Sequence, residues 1–140
     1  MTLAEFHTAV GEVVMRCQHI EEEVKMIHAI LAKGDFDDNY EAVQRDSLGQ
    51  VLISLRELDE SDGRSFISSG DYDFLLRMKN KRNHWCHEAY VNFIYIDDFA
   101  SSSAYKRECK QLCEDRDQLE HVAERLENAR FKAYEIYRGN

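Results

Sequence analysis

The chain has 140 residues, no proline, and 27 acidic against 18 basic residues, for a formal net charge of −9. One domain spanning 1–140 fits that length, and the missing prolines disfavour proline-rich linkers and a loop-rich β-sandwich. The acidic balance argues against a protein that coats nucleic acid, while 44% hydrophobic and 11% aromatic residues suffice to build a core.

Thr2 is placed to cap a first helix, with Glu5 three residues on in capping-box register. Leu3, Phe6, Val10, Val13, Cys17, Ile20, Val24, Ile27 and Leu31 then recur at steps of three or four, the helical period. Gly34 and the polar run to Asn39 end it. A second helix is predicted from about Tyr40 to Leu58, through Val43, Leu48, Val51, Leu52 and Leu55. The stretch 59–70, with two Gly and four Ser, reads as the longest loop.

Asp71 is placed to cap a third helix that runs through Tyr72, Phe74, Leu75 and Met78 to about Tyr90. Residues 91–96 are β-branched and aromatic, and fit either more helix or a short extended piece. Ser101, Ser102 and Ser103 precede a last helix of about 35 residues, striped by Tyr105, Cys109, Leu112, Leu119, Val122, Leu126, Ala129, Ala133 and Ile136, with Arg116 as an interruption. Four amphipathic helices with short connections make an all-α, antiparallel bundle of four to five helices the expected fold. Part of the long stripe could also pack against a second subunit.

No run of about 18 apolar residues occurs, so no membrane-spanning helix is expected. The first residues have neither the basic start nor the apolar centre of a signal peptide. Cys17, Cys86, Cys109 and Cys113 are too few and too scattered for a disulfide scaffold, which fits a reducing compartment and a cytoplasmic location.

Chemistry concentrates between Arg77 and Tyr90. Residues 77–82 carry Arg77, Lys79, Lys81 and Arg82 with no acid, whereas residues 1–40 and 41–76 each hold three basic and eight acidic residues. Two histidines, His84 and His87, and the sole Trp follow at once. Asn83 and His87 are four apart and share a helix face. Arg82 and His87 are five apart, about 140° around an ideal α-helix, so one helix alone makes an open site. Two copies meeting across a dimer axis would bring two Arg and two His to one cleft. Trp85 and Cys86 are expected to pack inward.

Arg82-Asn83-His84-Trp85-Cys86-His87 has the form Arg-x4-His with a polar residue directly after Arg. In an all-helical domain of this size it resembles the motif of the HEPN superfamily, which includes ribonuclease toxins and prokaryotic defence proteins. The likeness spans nearly the whole chain in its helix count, in the motif's place on the third helical region and in the long final helix. It implies metal-independent RNA cleavage by a homodimer that leaves a 2′,3′-cyclic phosphate, with no cofactor. Arg82 would hold the scissile phosphate, His87 would move protons, and Asn83 would position the phosphate or orient His87. Arg77, Lys79, Lys81, His84 and Tyr90 would line the RNA path.

One branch of that superfamily, paired with a nucleotidyltransferase antitoxin, carries a modified Tyr two positions after the motif His. Here that position is Ala89, and Tyr90 comes one later, so an antitoxin of that type is an open question. Another partner protein, or a nucleotide bound without catalysis, is the competing expectation. The acidic faces would suit a basic partner.

A ferritin-like di-metal bundle needs Glu-x2-His pairs, and none occurs here. His19/Glu23 and His84/Glu88 have the alternative His-x3-Glu spacing, and Cys109, Cys113 and His121 lack a clear fourth zinc ligand. No metal is expected, and Asp97 and Asp98 read as a helix end.

Overall fold

A computed structural model of the chain describes residues 1–61 and 63–139. Among these there are five α-helices and no strand: α1 Leu3–Leu31, α2 Phe36–Val43, α3 Leu48–Glu60, α4 Ser69–Asn83 and α5 Ser103–Tyr137. A short π-helical turn, His84–Glu88, extends α4, and a 3-10 turn, Phe99–Ser101, precedes α5. No helix among the described residues is long and apolar enough to cross a membrane.

The predicted second helix is two helices. It breaks at residues 44–47, where Ser47 caps α3 in a reciprocal capping box with Gln50. That pair satisfies two amide donors that the helix start leaves open. The other caps follow the same chemistry. The Thr2 hydroxyl accepts from the Glu5 amide, Asp35 accepts from Asp38, and Ser102 accepts from Tyr105. Gly34, at φ +103°, makes the turn between α1 and α2 in a backbone region that favours glycine. α4 is capped by Ser68 and not by Asp71, because the Ser68 hydroxyl takes the Asp71 amide. This frees the Asp71 carboxylate to bind Arg125 of α5 through two hydrogen bonds, 2.9 and 3.0 Å long.

Successive helices reverse direction, and the extra pass has a consequence: α1 and α5 run parallel. Their contacts climb together, from Tyr105 Oη donating to the Met1 carbonyl, through Arg116–Glu12, Arg16–Glu120 and Arg130–Glu23, to Arg138 donating to the Ile30 carbonyl. α1 packs more extensively on α5 than on any other helix. The core lies along that seam, with Phe6, Val13, Cys17, Ile20, Val24 and Ile27 facing Leu112, Leu119, Val122, Leu126, Ala129 and Ala133. Ile136, counted in the sequence stripe, is instead half-exposed, as are Phe131 and Tyr134.

The residue that interrupts the stripe of α5 is Asp115, not Arg116. Asp115 is buried, whereas Arg116 reaches Glu12 near the surface. Glu23, Asp59, Asp71 and Asp115 are the buried acids among the described residues, and each is met by donors. Asp59, for example, accepts from the Tyr72 hydroxyl, the Ser65 hydroxyl and the amides of Phe66 and Ile67, which shapes the loop before α4. Buried charge is tolerated only where such partners replace water.

His28 of α1 faces α3, with Nε2 2.9 Å from the Ser54 hydroxyl and a buried Nδ1 that has no hydrogen-bond partner. Burial lowers its pKa from the ordinary histidine value of 6.5. The folded state therefore favours neutral imidazole, so this contribution to stability is complete above 6.5 and is lost as pH falls through the window below it. Denaturant unfolding at pH 7.5 and at pH 5.5 should show a loss for the native chain that is smaller in the His28→Gln variant.

Candidate functional site

α4 descends antiparallel in the groove between α1 and α5. Consecutive residues on a helix point about 100° apart, so Lys81 and Arg82 reach opposite walls of that groove. Lys81 Nζ donates to Asp115 Oδ1 of α5 at 2.8 Å. The Arg82 guanidinium donates to the Glu21 carboxylate of α1. Trp85, one turn after Lys81, buries its ring and donates Nε1–H to the other Asp115 oxygen at 2.8 Å. Gln111 completes the set, donating to Asp115 Oδ1 at 2.9 Å.

Below this anchor the helix changes its winding. Over His84–Glu88 the backbone adopts a π turn, in which an amide bonds the carbonyl five residues back instead of four. The wider turn brings the residue five on closer to the face of its starting residue than the ideal α-helix allows. The angle between Arg82 and His87 is therefore smaller than the sequence spacing implies. Trp85 stays inward, but Cys86 is exposed, contrary to the sequence expectation, together with His87 and Glu88.

The predicted site residues separate into tethered and open groups. Arg82 is tied to Glu21 and Lys81 to Asp115. His84 Nε2 lies 2.9 Å from Glu108 of α5, and its Nδ1 lies 3.7 Å from Glu88. The Tyr90 hydroxyl is 2.7 Å from His7 Nδ1 on α1, and burial raises the Tyr90 pKa above its ordinary value. Arg77, Lys79, Asn83 and His87 are exposed and make no hydrogen bond or ion pair with a described side chain. Thus only Arg77 and Lys79 of the basic island keep an uncompensated charge. Within one chain Arg82 is turned to α1 while His87 faces outward.

Beneath the motif, six aromatic rings fill the end of the bundle. Phe6 meets Trp85, Tyr90, Phe93 and Tyr105 with ring centroids 5.3–6.3 Å apart, and Phe99 packs on Phe93 and Tyr105. Phe93 is buried at the centre of residues 91–96, which form turns and neither more helix nor a strand. Val91, Ile94, Tyr95 and Ile96 remain exposed. Asp98 has a left-handed backbone, φ 51°, and leads into the 3-10 turn.

Cys17 lies under this region in the α1 core. Burial, and then the nearby Glu21 charge, push its thiol up to about 12, which removes it as a nucleophile near neutral pH. The described residues hold no group of three or more His, Cys, Asp or Glu side chains arranged to bind a metal ion. His19 and Glu23, like His84 and Glu88, form local contacts of 3.4 and 3.7 Å. The residues that sequence reasoning missed are Glu21, Asp115, Glu108 and His7, the partners that hold the motif. Asp115 alone had a visible signal, a charge inside an apolar stripe.

Comparison with protein-family models, with curated proteins and with solved structures found no match.

Removing Asp115 leaves the buried Trp85 N–H without its acceptor and the part-exposed Lys81 ammonium without its ion-pair partner. Asp115→Ala should cost about 1–3 kcal/mol of unfolding free energy, read by denaturant titration of Trp85 fluorescence. Asp117→Ala, at an exposed position two residues on, should stay within about 0.5 kcal/mol of the native chain.

Proposed function

We propose that this chain is a HEPN-like, metal-independent endoribonuclease of the toxin or defence-effector type, working as a homodimer. The observation that carries the reading is the combination at the foot of α4. A motif Arg held at a cleft edge just before a π turn is followed by an outward-facing motif His within that turn, with Trp85 and Asp115 fixing the helix between them. Single π turns often accompany functional sites. The separation of Arg82 from His87 supports a shared site, because a second copy is the simplest source of a complementary Arg and His.

The chemistry would need no metal from the protein. The RNA 2′-oxygen attacks the adjacent phosphorus as its proton passes to a neutral His87, and the bond from phosphorus to the 5′-oxygen breaks. The leaving oxygen takes a proton from a protonated His87 of the partner subunit, giving a 2′,3′-cyclic phosphate and a 5′-hydroxyl. Arg82 would neutralise the charge that builds on the phosphate, and Asn83, exposed on the same side as His87, would orient it.

A second reading has its own support. Glu21 and Asp115 neutralise two of the island's four cations, which weakens the attraction for a polyanion. That favours a non-catalytic HEPN-like module that binds a nucleotide or a partner protein, its acidic faces meeting a basic surface.

Purified protein should cut RNA in the presence of EDTA and spare DNA of the same sequence, and Arg82→Ala or His87→Ala should each lower cutting by at least about 100-fold while helicity is kept. Mixing the two inactive variants should not restore native activity, since each mixed dimer retains one His87 where the mechanism uses two. Absence of cutting by the native chain would favour the binding module, and wild-type cutting by both variants would remove Arg82 and His87 from the chemistry.

A further inference from the structure

Arg82 opens onto a cleft of about 350 Å³ between α1, α3 and α4. Lys79 lines the same cleft one turn earlier on α4, and Glu21 and Asp46 face it from the other side. Leu48, Leu52, Leu75 and Leu76 supply its apolar wall. With all four charged groups ionised the cleft is neutral, two cations against two anions, although it holds two of the island's three cations that are not committed to α5.

The contact that sets this balance is a single one. The Glu21 carboxylate takes Arg82 Nη1, whereas a guanidinium has five N–H donors in a fork that suits two oxygens of a phosphate. A carboxylate is the closest side-chain mimic of a phosphate oxygen pair. We propose that this cleft is a binding site for a phosphate group, which Arg82 and Lys79 hold and for which the Glu21 carboxylate is a built-in competitor. The proposal shares with the ribonuclease reading the idea that Arg82 meets phosphate, but it requires no cleavage. The remaining donors of Arg82 and the whole ammonium of Lys79 stay open to the ligand. The apolar wall beside them gives the nucleoside of a phosphorylated ligand a surface to rest on. Glu21 then has two effects: it orients the guanidinium, and its charge keeps affinity for stray anions low.

The ligand can be the backbone of an RNA or a small phosphorylated molecule, and its chemistry at the cleft is the same. Calorimetric titration separates them with two probes, inorganic phosphate and a 2′-deoxyoligonucleotide that cannot be cut. Glu21→Gln keeps the shape and removes the competing charge, so it should bind inorganic phosphate at least about tenfold more tightly than the native chain. Lys79→Ala in that background should lose most of the gain. A far tighter fit for the oligonucleotide assigns the cleft to a polynucleotide backbone, and tight phosphate binding without that gain assigns it to a small ligand. Phosphate affinity in Glu21→Gln that is equal to or below the native value, with helicity unchanged, overturns the proposal. Phosphate binding that persists in a preparation unable to cut RNA would remove the ribonuclease reading and leave this site standing.

Discussion

Two carboxylates on parallel helices, Glu21 on α1 and Asp115 on α5, hold the foot of α4 between them. Everything of chemical interest in the chain follows from that clamp. It exists because α1 and α5 run side by side in the same direction, so that the groove between them accepts an antiparallel α4. Adjacent residues Lys81 and Arg82 then meet opposite walls. Each of these ion pairs sits at partial exposure and contributes little alone. Trp85 makes the clamp a site of order, because its buried ring and its N–H both depend on Asp115 being where it is.

The same principle explains how a chain of net charge −9 folds. Its acids are spent internally as well as on the surface. The run Glu21, Glu22 and Glu23 shows this most simply. Stepping about 100° per residue, the three carboxylates engage Arg82 of α4, Tyr40 of α2 and Arg130 of α5. One short acidic stretch of α1 therefore fastens three other helices. The basic island, which reads in the sequence as a concentrated patch, is in the fold half neutralised by the same device. What remains unpaired, Arg77, Lys79, Asn83 and His87, is a narrower and more directed set.

Periodicity and caps made the long helices legible. α1 and α5 follow their stripes closely, and Thr2 and the serine run cap them as the side-chain chemistry requires. The break at 44–47 was hidden because no Gly or Pro marks it, although the five-residue step from Val43 to Leu48 and the Ser47–Gln50 capping box were written there. The π turn left no mark at all, since winding is a backbone property and the spacing from Met78 to Trp85 is that of an ordinary helix. The partners of the site could not be read either. Glu21, Glu108 and His7 are unremarkable in sequence, and only the tertiary fold brings them to Arg82, His84 and Tyr90. The motif residues were visible, and the groups that restrain them were not.

The proposed ribonuclease reading, with Arg82 turned inward and His87 outward, requires a second copy to close the site. The most direct measurement is the mass of the active species. Light scattering on protein at the concentration that cuts RNA should give twice the 16.4 kDa of one chain. A preparation that cuts RNA while its mass stays that of a single chain would contradict the account.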